Sequence, residues 1–132
     1  MSSKSDIKYT LTISPEHAQL LVRALDLFSR IGMGQFEKIS SVYRTLTIDQ
    51  KTNLYNKLLE IKEIVGLPYN DHHGIHSPDI KDDFRQAFDM LQVIRHRLAW
   101  DKNPKGGFQV YFDTPEQIGL LTLPSIKCQN EK

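Results

Sequence analysis

Residues 79–100 place Phe84, Ala87, Phe88, Leu91, Ile94 and Leu98 at spacings of three and four. Apolar side chains at that period line one face of an α-helix, so the stretch predicts one long amphipathic helix. Its ends agree with the assignment. Asp79, Asp82 and Asp83 open it and Arg95, His96 and Arg97 close it, each set where the helix dipole favours that sign. An apolar stripe of this length has to be covered by a second layer, which the rest of the chain must supply.

Upstream, residues 7–13 alternate Ile7, Tyr9, Leu11 and Ile13 with Lys8, Thr10 and Thr12, the period-2 pattern of a half-buried strand. Ser14 and Pro15 then form a helix N-cap with proline at the first helical position, and Ala18, Leu21, Leu25 and Phe28 continue a helix over 15–31. Gly32 and Gly34 interrupt the helical pattern before it resumes at Phe36, Ile39 and Val42, and permit a bend or a close backbone approach. A further helix is expected over 49–65, capped by Asp49 and ended by Gly66 and Pro68. Residues 68–80 read as a loop, and 108–113 and 118–123 as two short strands. The order predicts a single α+β domain over 1–132, a small antiparallel sheet packed on helices, with flexible ends at 1–6 and 127–132. Apolar surface left over, including Trp100 and Tyr111, points to a homo-oligomer.

Composition narrows function mainly by exclusion. Seventeen Lys and Arg stand against sixteen Asp and Glu, which lacks the cationic excess that binding a nucleic-acid polymer requires, so an anionic ligand should be small. No apolar run approaches the ~20 residues of a spanning helix, and the N-terminus lacks a signal-peptide core, so no membrane is expected and the cytosol is. The single Cys128 cannot form an internal disulfide and reads as a bystander thiol.

Three groups of residues carry the functional candidates. Arg95, His96 and Arg97 are ~100° apart on the helix and cannot all grip one ligand. If one arginine faces a pocket, the other must face an acid, Asp89 or Asp101, solvent or a second subunit; the alternative is a solvated helix end that complements the dipole. The loop that follows adds Asn103, Lys105 and the Gly106-Gly107 pair, donors of the kind that phosphate sites use. In the second group, Asp71, His72, His73 and His76 offer ligand atoms but no recognised metal spacing, so no metal is expected there. Third, Phe28, Phe36, Phe84 and Phe88 sit at helical spacing as core, Phe84 counting also among the ligand contacts, whereas Tyr69 beside the histidines is placed to stack on a base. Neither a G-x-S-x-G turn nor a Walker-type loop is present.

"LDLFSRIGMGQFEKI" at 25–39, "HGIHSPD" at 73–79 and "IRHRLAWDKNPKGGFQVYFD" at 94–113 resemble the phage-encoded Thoeris anti-defence sponge proteins of the first described family. The similarity runs from about residue 7 to 126. It implies a non-enzymatic protein, without cofactor, that captures cyclic ADP-ribose isomers in the cytoplasm of the infected bacterial host and so blocks Thoeris immune signalling. It also implies assembly as a dimer or hexamer and, as in some members, cyclic oligonucleotides bound at a separate site. Under this resemblance Arg95, His96, Arg97, Asn103, Lys105, Tyr69, His76, Phe84 and Asp113 are the ligand-binding candidates. The competing expectations are a metal-dependent hydrolase of a nucleotide signal built on His72, His73 and His76, and a plain protein-interaction module.

Overall fold

A computed structural model of the chain describes residues 7–67, 72–102 and 115–127. Among these residues the protein is helical, with three α-helices, α1 (Pro15–Gly32), α2 (Ile48–Ile61) and α3 (Asp82–Lys102). Two 3₁₀ helices, Phe36–Val42 and Lys62–Val65, flank α2. No described helix is long and apolar enough to cross a membrane.

The local signals behind the helices are met in side-chain detail. Ser14 caps α1, its Oγ accepting the His17 N–H at 3.1 Å, with Pro15 at the first turn. α2 begins one residue earlier than expected. Its cap is Thr47, which forms a reciprocal capping box with Gln50, and Asp49 belongs to the first turn instead. The helix pattern over 62–65 is wound as the tighter 3₁₀ form, and Gly66 ends it. α3 starts at Asp82 and runs to Lys102.

α1 and α3 pack on each other and carry the core. Ala18 and Val22 of α1 meet Ile94 of α3, with Ile13, Leu21, Leu25, Leu98 and Ile126 closing around them. The glycine pair read from the sequence serves this packing. A Cβ on Gly32 would lie 2.0 Å from Cγ of Phe84, so the bare α1 backbone is what lets that ring sit against it. Gly34 turns the chain with φ +85°, and a Cβ there would meet Leu67 at 2.1 Å. The Phe84 ring also packs, tilted by 44° at a centroid distance of 4.9 Å, on Phe28, which is nearly half exposed and therefore rims the core rather than filling it.

The expected α+β fold with an antiparallel sheet is not what forms: no strand exists among the described residues. Residues 7–13 take no regular secondary structure, and their backbone makes no hydrogen bond to any described residue. The intended third strand, 118–123, is held in another way. Asp89, fully buried on α3, accepts the N–H groups of Ile118 and Gly119 at 2.8 Å each, and Asp82 accepts the N–H of Leu120 at 3.2 Å. One turn beyond Asp89, Gln92 donates to the Glu116 carbonyl at 3.2 Å. Carboxylates on a helix have thus taken the donors that a ladder would have used, and residues 116–120 lie as a strap along α3. The middle expected strand, 108–113, lies outside the described residues, as do residues 1–6 and 128–132 of the expected flexible ends.

Asp82 gains from this arrangement. The Gln86 amide, donating at 2.6 Å, chiefly holds its carboxyl below the ordinary range; desolvation opposes it, and the Leu120 N–H and the Arg85 guanidinium add to the lowering. A carboxyl whose folded pKa is depressed stabilises fully above its unfolded pKa and loses that contribution as pH falls through the folded value. The strap's end at Leu120 should therefore loosen on acidification through and below the ordinary carboxylate range. Amide exchange at Leu120, compared between neutral and acidic buffer, checks this, and the Asp82→Asn variant should flatten the dependence.

Candidate functional site

Among the described residues a concavity lies away from the end of α3. It opens between the end of the first 3₁₀ helix and the first turns of α2, as a cleft of about 600 Å³ lined by Ser40, Ser41, Tyr43, Arg44, Lys51, Thr52 and Tyr55. Ligand pockets for small molecules commonly span ~300–1,000 Å³. Its two walls are held by a pair on which nothing in the sequence had focused. Lys62, buried at the end of α2, places Nζ 3.1 Å from Oε2 of Glu37 on the 3₁₀ helix, an ion pair lacking the alignment of a directed hydrogen bond. With Leu58 and Leu59 of α2 also buried, this contact joins the 3₁₀ helix to the end of α2.

The lining combines three chemistries. Arg44 and Lys51 are exposed cations, and neither takes an ion-pair or hydrogen-bond partner among the described residues. Lys51 stands near the start of α2, where the positive end of the helix dipole slightly disfavours a cation. Tyr43 and Tyr55 expose 54% and 42% of their surface, which leaves ring area free for stacking. Ser40 and Ser41 spend their hydroxyl hydrogens on the carbonyls of Glu37 and Lys38, both at 2.7 Å, so toward the cleft their oxygens offer lone pairs. Phosphate oxygens suit the cations, a flat base suits the tyrosines, and ribose hydroxyls suit the serine oxygens. The lining thus offers two cations, two phenols and the hydroxyls of Ser40, Ser41 and Thr52.

At the end of α3 the three basic residues diverge as the helical angle requires. Arg97 pairs with Asp101 through Nε at 2.9 Å and also through Nη2, which settles one of the two candidate acids. The other, Asp89, faces the strap instead. His96 accepts the indole N–H of Trp100 on Nε2 at 2.9 Å, which occupies the nitrogen a phosphate would want. Arg95 is exposed. Of the other ligand candidates, Phe84 is taken up in the α1–α3 crossing and His76 is exposed in the loop after residue 71. Tyr69, Asn103, Lys105 and Asp113 lie outside the described residues.

The described part of the histidine loop is organised by Arg85. Its guanidinium donates to the Ile75 carbonyl at 2.8 Å and to the Ser77 carbonyl, while the His73 N–H reaches the Met33 carbonyl at 2.7 Å. The loop is thereby tied to α1 and α3. No group of three or more His, Cys, Asp and Glu among the described residues is placed to hold a metal.

Sequence inspection missed the cleft because its residues come from two elements separated by a turn. The signals that could have found it were the adjacent Tyr43-Arg44 and the one-turn pair Lys51 and Tyr55, whose cation runs against the dipole. Fold and site together define a small helical protein with an open cleft of cations and tyrosines. Compared with protein-family models, curated proteins and solved structures, the chain matches none.

Proposed function

We propose that the protein binds a small phosphate-bearing nucleotide and holds it without turning it over. The observation that carries this is the cleft in which two unpartnered cations stand beside two exposed tyrosines. The resemblance of residues 25–39, 73–79 and 94–113 to the Thoeris anti-defence sponges supplies the ligand: a cyclic ADP-ribose isomer, sequestered in the cytoplasm of the infected bacterial host. Such a ligand carries a pyrophosphate for Arg44 and Lys51, an adenine for a tyrosine face and ribose hydroxyls for Ser40 and Ser41. Tight holding suits a site that presents donors, acceptors and ring faces together.

Titration calorimetry with a cyclic ADP-ribose isomer tests the proposal, together with chromatography of the ligand released on heating. The wild type should return the intact isomer; cleaved product would favour the hydrolase. A hydrogen bond to a charged group contributes ~1.5–3 kcal/mol, so Arg44→Ala and Lys51→Ala should each weaken binding by roughly ten- to a hundredfold. Both cations are exposed and unpaired, so melting temperature should hardly move in either variant. Arg95→Ala serves as the contrasting arm. Loss of binding there, with Arg44→Ala unaffected, would move the pocket to the end of α3.

A further inference from the structure

We infer that residues 35–66 open and close as one unit by local unfolding while α1 and α3 stay packed, so that closing this unit and capturing a ligand in the cleft are a single equilibrium. The two ends of the segment meet. Gly34 just before it and Gly66 at its end both hold left-handed backbone, with φ +85° and +83°. The side chain of Leu67, buried just past the second glycine, lies where a Cβ on Gly34 would stand. Beside this contact the His73 N–H bonds the Met33 carbonyl at 2.7 Å. The chain therefore leaves the α1–α3 body and returns to it at nearly one point. What lies between can move without pulling the two helices apart.

The packing divides at the same place. Ala18, Val22 and Ile94 centre the core that α1 and α3 share, and no residue of 35–66 is among those that close around it. Of the fourteen residues of α2, Leu58 and Leu59 are the buried ones. Ile48 and Ile61 of that helix are exposed, as are Ile64 and Val65 of the 3₁₀ helix that follows. α2 packs chiefly on the two 3₁₀ helices, and the first of these seats the unit on α1. Within the unit the buried Lys62 meets Glu37 at 3.1 Å, so the segment is held together by a contact of its own. Few buried apolar side chains and much exposed surface mark a segment that opens below the free energy of global unfolding.

The cleft lies wholly inside this unit, with Tyr43 and Arg44 on one wall and Lys51 and Tyr55 on the other. Opening separates the walls, so a ligand that spans them binds the closed form alone, and its binding free energy adds to that of closure. The coupling rests on the cleft being the nucleotide site; the opening of the unit does not.

Native-state amide exchange at rising, sub-denaturing urea tests the inference. The Leu58 and Leu59 amides should share one opening, roughly tenfold or more frequent than that of Val22 and Leu91 and with a shallower urea dependence, since less surface is exposed. Ile94→Val weakens the α1–α3 core in the open and closed forms alike. It should lower protection at Val22 and Leu91 roughly fivefold and leave Leu58 and Leu59 unmoved. Lys62→Met weakens the closed form against every opening, so protection should fall at all four amides together. A cyclic ADP-ribose isomer at about 100 times its calorimetric dissociation constant should raise protection at Leu58 and Leu59 about a hundredfold. Bound ligand that protects Val22 and Leu91 but not Leu58 and Leu59 would place the site outside the unit and overturn the coupling. Absent heat of binding would remove the nucleotide reading and the coupling with it, while the ligand-free exchange still decides the unit. Leu58 and Leu59 exchanging with the free energy and urea slope of Val22, or shifted by Ile94→Val as far as Val22 is, would overturn the inference.

Discussion

Asp89→Ala should unfasten residues 116–120 from α3 and lower the unfolding free energy by about 3–5 kcal/mol. The carboxylate is fully buried and accepts two backbone N–H groups at 2.8 Å. Hydrogen bonds to a charged group contribute ~1.5–3 kcal/mol each, and their loss leaves two donors without partners. The isosteric Asp89→Asn separates geometry from charge. Its amide keeps one acceptor but presents NH₂ to the second N–H, a donor against a donor, so about half the loss should appear with the volume unchanged. Denaturant titration gives the magnitude, and amide exchange gives the location: protection at Ile118 and Gly119 should vanish while the interior of α1 keeps its own. Retained protection at both amides would show that the strap is held by packing instead. Ile126, lodged against the Ala18, Val22 and Ile94 core, would be the residue to suspect.

A methyl group at Gly32 should cost about 2 kcal/mol, and the sign should reverse when Phe84 is removed. In the native protein a Cβ at this position would stand 2.0 Å from Cγ and 2.2 Å from Cδ1 of the Phe84 ring, so α1 and α3 must separate or the ring must leave its contact with Phe28. Overpacking of this kind typically costs ~1–3 kcal/mol. Against it stands the helix preference for alanine over glycine, up to ~1 kcal/mol. Phe84→Ala alone should be destabilising by about 3 kcal/mol for the lost ring. In that background the clash is gone and only the propensity gain remains, so Gly32→Ala should then be neutral or stabilising. A double-mutant cycle from four denaturation curves measures the coupling, and additive effects would mean that the two residues do not meet.

How much of this was legible in the chain differs by element. The Ser14 cap, Pro15, the stripe of α1, the glycine interruption and the length of α3 all follow from spacing, because helices close their hydrogen bonds locally and announce themselves locally. Arg95 and Arg97 take different surroundings on α3 for the same reason, and Asp101, one of the acids named from the sequence, is the one that Arg97 meets. Strand assignments fail differently. Residues 7–13 have the right alternation, but alternation says only that a segment suits a pleated edge, and the edge itself must come from elsewhere. In 118–123 the backbone met carboxylates before it could meet a neighbour.

The candidate site separates along the same line. Aromatic and cationic side chains near the histidine loop and the α3 end were visible as composition, whereas the cleft at Tyr43, Arg44, Lys51 and Tyr55 forms where the first 3₁₀ helix meets α2, two elements that the Glu37–Lys62 pair also joins. Lys62 itself gave no warning, since a lysine is read as surface until a partner is found for it. Periodicity and caps therefore determined where this chain coils and where each coil stops. Which helix faces which, which segment is strapped down by Asp82 and Asp89, and where cations and rings converge were decided only by contacts between residues far apart in the chain. Those contacts depend on the filling of volume and the pairing of buried charge in three dimensions, which no local pattern encodes.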